Sequence, residues 1–228
     1  MSALNEATLY RLLAWTSPSY PIGAFSYSHG LEWAIEEGNV RDVKTLVAYI
    51  EAALRRGGAW IDAVLFCQAW RVAHEPQAFD EIAELAGAFR GSAETALESQ
   101  QQGASFLQVT RAAWPHPLLD AYAQRSQGQP RAHAVVMALA CAAHGIALAP
   151  ALSAYLHGFA ANLVSAGVRL VPLGQTDGQR ATAALAAVVE DVARAAPGCA
   201  LEDLGSAAPR LELCSMKHET QYTRLFRS

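Results

Sequence analysis

The sequence predicts an all-α protein: a single-domain helical bundle of about ten helices with no sheet. Three observations carry that expectation. Apolar residues recur at helical spacing along most of the chain. No run alternates apolar and polar residues for long enough to make a strand, and no Asn-Gly or Asp-Gly hairpin joins two strand-like stretches. The 228 residues, 52% hydrophobic and 17% charged, suffice for one substantial core, and nothing repeats at a fixed period as a solenoid would.

The elements follow in order. Leu4 to Trp15 sets Leu9, Leu12 and Leu13 at helical spacing, Asn5 and Glu6 suit its start, and Pro18 forces it to stop. The stretch SPSYPIGAFSYSHGLE (Ser17 to Glu32) is the longest interruption of the helical pattern. Pro18 and Pro21 restrict its backbone, Gly23 frees it, and Phe25 and Tyr27 are expected on one side of an extended segment with Ser26 and Ser28 on the other. A second helix is read from His29 to Glu37, ending at Gly38. Asp42 caps a third, whose stripe is Val43, Leu46, Val47, Ile50 and Leu54. From Ala59 to His74 apolar residues occur almost all round, the pattern of a central helix, and Glu75-Pro76 ends it.

Phe79, Ile82, Leu85, Ala86 and Phe89 mark a fifth helix. Glu94 to Ala113 forms a sixth, with Leu97, Phe106, Leu107 and Val109 as its apolar members and Gly103 as an expected bend or break. Trp114 to Pro117 is a rigid turn into Leu118–Arg125. Further helices span Ala132 to His144, Ala151 to Gly167 and, after VRLVPLGQTDGQR (Val168 to Arg180), Arg180 to Ala195. Residues 1–203 read as the helical domain. Residues 204–228 read as a flexible linker, LGSAAPR, and a C-terminal partner-binding tail.

Composition narrows the function. A formal charge of −4 supplies no basic footprint, so no nucleic-acid partner is expected. The apolar tracts 132–152 and 150–171 are broken by His133, His144, Pro150, His157, Asn162 and Arg169, so no membrane span is expected. The four cysteines form no CxxC pair, three of them sit in apolar or alanine-rich surroundings as free thiols do, and the first residues lack a basic leader before an apolar run. Together these read as a cytoplasmic protein. High hydrophobicity with little charge points to apolar surface covered by another subunit or a partner, so oligomerisation is expected.

Candidate chemistry is sparse. Ser26-Tyr-Ser-His-Gly30 is one glycine short of the G-x-S-x-G elbow with Ser28 at the nucleophile position, which leaves a serine hydrolase as the alternative reading, although no strand delivers that serine. Seven histidines show no HExxH or H-x3-H spacing, so no metal ligand is expected. Gly174-Gln-Thr-Asp-Gly178 resembles a phosphate loop but lacks the Lys-Ser/Thr that follows one; the other reading is a structural loop in which Thr176 or Asp177 caps the next helix. The tail MKHETQYTRLFRS carries Lys217, Arg224 and Arg227 and places Tyr222, Leu225 and Phe226 at i, i+3 and i+4. Such a segment either docks on its own domain or folds on a partner.

Three stretches, Ser17–Glu32, Val168–Arg180 and Met216–Ser228, together resemble the UreF family of urease accessory proteins over the whole chain. Tyr20, Ala24 and Lys217 depart from the family's usual aliphatic residue, glycine and arginine. The resemblance implies an all-α dimer without catalytic residues or a cofactor of its own. It implies a non-catalytic bridge in nickel metallocentre assembly, binding UreD (UreH in some species) and recruiting the GTPase UreG to deliver nickel to apo-urease. Phe25 and Arg224 are the positions it carries over for partner contact, with Tyr27, Lys217, Tyr222, Leu225 and Phe226 beside them. Pro18, Pro21, Gly23, Gly174 and Gly178 are then structural loop residues. Arg224 has two readings: an arginine finger toward the partner's phosphates, or an interface donor that fixes assembly.

Overall fold

A computed structural model describes residues 5–228, which form eleven α-helices and three short 3₁₀ turns; no strand occurs among the described residues. Helix α1 (Glu6–Trp15) starts where expected, the Asn5 side chain accepting the Thr8 amide at 2.9 Å; Leu4 lies outside the described residues. Then come α2 (Leu31–Glu36) and α3 (Val43–Arg56), the latter opened by a capping box between Asp42 and Thr45 that satisfies the first free amides. The α3 stripe buries Leu46, Ile50 and Leu54 completely.

Helix α4 (Gly58–Arg71) and helix α8 (His133–Ala143) pack on each other at the centre. Both are buried on nearly every face, as all-round apolarity requires, and each large side chain so enclosed contributes roughly 1.5–3 kcal/mol. Around them run α5 (Pro76–Ala88), α6 (Ala93–Ala113), α7 (Pro117–Arg125), α9 (Leu148–Leu170) and α10 (Gln175–Ala195). Helix α10 lies against α3 and α9, while α6 lies against α8. No helix among the described residues is long and apolar enough to cross a membrane.

Four local expectations change. Helix α6 runs unbroken through Gly103, where an added Cβ would sit 1.7 Å from the Arg131 carbonyl oxygen; the glycine admits a neighbouring backbone and does not bend the helix. Leu97 faces outward on that helix. Helix α9 takes in Pro150 in its first turn and continues through Val168–Leu170. Helix α10 begins at Gln175, five residues early, with Gly174 as its N-cap and no side-chain cap from Thr176 or Asp177. Gly178 is therefore a helical residue, not a loop residue. A Cβ there would meet Val168 Cγ2 at 2.9 Å, so its smallness serves the close α9–α10 packing.

Residues 204–208 are non-helical and lead into a further helix. Pro209–His218 forms a helix, α11, lying on α2 and α6, and Ala207 donates to the Arg56 carbonyl at 2.8 Å on the way to it. Of the four free cysteines, Cys67 and Cys141 are buried, whereas Cys199 and Cys214 are half-buried, so two and not three are enclosed thiols. Burial pushes the Cys67 thiol up to about 12, which leaves it unreactive.

Candidate partner-binding face and the network beneath it

Gly23 adopts a left-handed φ of 74° and starts a 3₁₀ turn over Ala24–Ser26, so the segment is not extended and the two rings part company. Phe25 points outward with 65% of its surface exposed, whereas Tyr27 is buried and its hydroxyl donates to Gln101. Within the proline-bounded part of the loop Tyr20 is buried against Phe106 and Trp114 and shares a 2.8 Å hydrogen bond with Thr110. His29 and Gly30 both have positive φ, 52° and 73°, so α2 starts at Leu31 and not at His29. At Gly30 only glycine fits: a Cβ would lie 2.5 Å from the Ser215 amide nitrogen of α11.

After α11 the chain crosses back over α2 and α6 as a strap, 219–228. Three carboxylates on those helices receive it. Glu32 accepts the Leu225 amide at 2.7 Å and the Phe226 amide at 2.9 Å; Glu94 accepts Arg224 at 3.0 Å; Glu98 accepts the Ser228 hydroxyl at 3.0 Å. Backbone pairing closes the seam, Ser28 donating to the Ser228 carbonyl at 2.7 Å and Arg227 to the Ser26 carbonyl at 2.8 Å. His218, fully buried, sits between Glu32 and Glu94. Hydrogen bonds to buried charged groups contribute about 1.5–3 kcal/mol each, which suffices to order so short a segment.

The docking sorts the expected contact residues into two sets. Tyr222, Arg224, Leu225 and Lys217 face outward, with Phe25 on the adjoining loop and Tyr222 entirely exposed. Tyr27 and Phe226 are buried and hold the strap instead of presenting a surface: Phe226 lies beneath the Arg169 guanidinium, and Ser228, two residues on, is buried beside Glu98. The serine of the elbow-like motif is likewise enclosed. Ser28 has no exposed surface and its hydroxyl donates to the Ser228 carbonyl, so it lies under the strap and not on the exposed turn a nucleophile elbow needs.

Beneath the face is a mostly apolar cavity of about 230 Å³ into which a polar group is set, its lining including Tyr20, His29, Asp62, Arg90, Glu98, Gln102, His133 and Tyr155. Asp62 pairs with Arg90 at 2.8 Å and accepts the Tyr155 hydroxyl at 2.9 Å; His29 Nε2 is 3.0 Å from Glu98. Burial depresses the His29 imidazole, but the charge and hydrogen bond of Glu98, with Asp62 behind it, outweigh burial and leave its pKa raised. His133 has no such partner, and burial takes it down to about 4. Among the described residues no three His, Cys, Asp or Glu side chains are placed to hold a metal ion. Motif reading missed this network. The available signal was a lone Asp62 in an otherwise apolar helix and the Glu94/Glu98 pair one turn apart on α6.

Comparison with known proteins agrees across the chain. The family model described as UreF matches residues 40–186. A urease accessory protein UreF of Granulibacter bethesdensis is 51% identical, the alignment covering 100% of this chain and 97% of the relative. The urease accessory proteins UreF of Bradyrhizobium diazoefficiens and Rhodopseudomonas palustris are 45% and 47% identical over 100% of this chain and 95% and 94% of theirs.

Proposed function

The chain belongs to the UreF family of urease accessory proteins, and from that premise we propose that it is a non-catalytic, cytoplasmic bridge in nickel insertion into apo-urease, acting as a homodimer that binds UreD and recruits the GTPase UreG. The observation that carries this reading is the way the strap is docked. Buried Phe226 and Ser228 fix it to the body and leave Tyr222, Arg224 and Leu225 exposed, with exposed Phe25 on the loop whose backbone pairs with the strap's end. Aromatic and arginine side chains presented without further ordering cost are what interface hot spots consist of. Nickel is cargo of the complex in this reading, and the chain needs no cofactor.

Arg224 acts here as an assembly residue. Its guanidinium is already engaged by Glu94 at 3.0 Å, an ion pair a phosphate-reaching arginine finger would have to break. The test is co-purification of the chain with UreD and UreG, followed by nickel- and GTP-dependent urease activation. Arg224→Ala is expected to lose UreG from the complex. If UreG stays bound while its GTP hydrolysis falls by orders of magnitude, the finger reading replaces the scaffold; if neither partner binds the wild type, the bridge reading fails.

A further inference from the structure

The cavity beneath the loop has exposed Pro18, Phe25 and His157 at its rim and buried Trp15, Tyr20 and Tyr155 at its floor. Both tyrosine hydroxyls are engaged elsewhere, Tyr20 with Thr110 at 2.8 Å and Tyr155 with Asp62 at 2.9 Å, so ring surface is what they offer the cavity. Phe159 of α9 adds a further ring. A cavity of about 150 Å³ holds one benzene ring, so 230 Å³ takes a ligand slightly larger than that.

The charges on the lining do not close on one another. Asp62 has a permanent counter-ion in Arg90 at 2.8 Å. Glu98, only 4% exposed, has none among its hydrogen-bond partners. Gln102 at 2.8 Å and the Ser228 hydroxyl at 3.0 Å are neutral donors, and His29 at 3.0 Å is a cation only while protonated. A buried carboxylate without a fixed cation is costly, and beside aromatic faces it makes a hollow that favours positive charge. A metal ion does not suit the donor set, because among the described residues no three His, Cys, Asp or Glu side chains are placed to hold one.

We infer that this cavity is a binding site for a small organic cation, an alkylguanidinium or alkylammonium of roughly eight to ten heavy atoms, with its charged head beside Glu98 and its apolar body against Trp15, Tyr20 and Phe159. The His29 proton is the internal competitor for the same carboxylate. Burial lowers that imidazole, but Glu98 from α6 and Asp62 from α4 raise it, Arg90 beyond α5 opposing them. From the other elements, the Phe159 ring of α9 meets it edge-on, and the Tyr49 hydroxyl of α3 reaches only its carbonyl. Glu212 of α11 shares a second, smaller cavity with His29 and is engaged by the Ser206 hydroxyl at 2.7 Å. His133 of α8, taken down to about 4 by burial, adds no charge at neutral pH. A bound cation displaces the His29 proton, so its affinity rises with pH until that ring is neutral.

Nitrogen-15 spectra of the full chain, titrated with n-butylguanidinium and with its neutral isostere n-butylurea, test the site. At pH 8 the cation is expected to bind with a Kd of about 1 mM or tighter, shifting the Trp15 indole signal and the amides of Gly158–Asn162, and the urea at least about tenfold more weakly. Affinity for the cation is expected to fall at least roughly threefold between pH 8 and pH 6. Ala161→Trp, at a half-buried position of α9 on the cavity wall, sets an indole across the opening and is expected to abolish binding with helical circular dichroism unchanged. Equal binding of the two probes, no binding of the cation at pH 8, an affinity that does not rise from pH 6 to pH 8, or binding that survives in Ala161→Trp would each overturn the inference.

Discussion

Arg169 stands over the ring of Phe226, its guanidinium carbon 4.3 Å from the ring centroid, while its Nη2 donates to the carbonyl of Phe25 at 2.8 Å. One side chain from α9 thereby ties the loop near the beginning of the chain to the strap at 226. Exposed Phe25 and the strap belong to a single surface because of it.

Arg169→Ala removes both contacts. A cation–π contact and a hydrogen bond together are worth about 1–2 kcal/mol, so amide protection at Phe226 is expected to drop roughly five- to thirtyfold with no change in helicity. Phe226→Ala, at a residue only 3% exposed, is expected to cost more, about 3 kcal/mol, and to make the strap a preferred site of limited proteolysis.

Tyr222 and Leu225 carry little of the fold, being exposed by 103% and 65%. The double alanine variant is therefore expected to keep its stability within about 0.5 kcal/mol by denaturant melt. Capture of UreG by the same protein is expected to weaken at least about tenfold. Undiminished capture would move the partner face elsewhere.

Glycine positions separate packing from propensity. Alanine is the better helix former by about 1 kcal/mol, yet Gly103→Ala sets a methyl 1.7 Å from the Arg131 carbonyl, and the α6–α8 contact must open. A large fall in melting temperature, or insoluble expression, is expected. Gly174→Ala meets no atom within 4 Å at a φ of −78° and is expected to be neutral or slightly stabilising.

Acid sensitivity is expected from His133. Its folded pKa of about 4 lies below the ordinary 6.5, so the unfolded chain takes up a proton that the folded one refuses. The stability this represents is present above about pH 6.5 and is lost as pH falls toward 4, at up to about 1.4 kcal/mol per unit. His29, whose pKa is raised, contributes in the opposite sense, losing its share as pH rises. Chemical denaturation of wild type and His133→Gln between pH 7 and 4 checks this: the variant is expected to have the shallower acid slope.

The helices were legible because their causes are local. The Asp42–Thr45 box, the stripe of Leu46, Ile50 and Leu54, and the all-round apolarity of α4 and α8 each act within a few residues or state directly what must be buried. Errors gathered where distant backbone decided the outcome. Gly103 reads as a breaker until Arg131 is placed beside it, and Gly178 reads as a loop until Val168 is. Phe25 and Tyr27 look equivalent by alternation, but the left-handed Gly23 starts a turn that sends one ring out and the other in.

By itself the sequence determined the all-α class, the order of the helices, the shaped loop at Ser17–Glu32 and the family resemblance, since these rest on composition, periodicity and local backbone preference. Only the tertiary structure decided what the last residues do. A ten-residue strap has too little apolar surface to fold on its own, and its docking energy comes from Glu32, Glu94 and Glu98, which lie 130 or more positions earlier in the chain. No local pattern in the tail announces partners that far away. Helix packing brings the three carboxylates together on α2 and α6, and on them the strap is held.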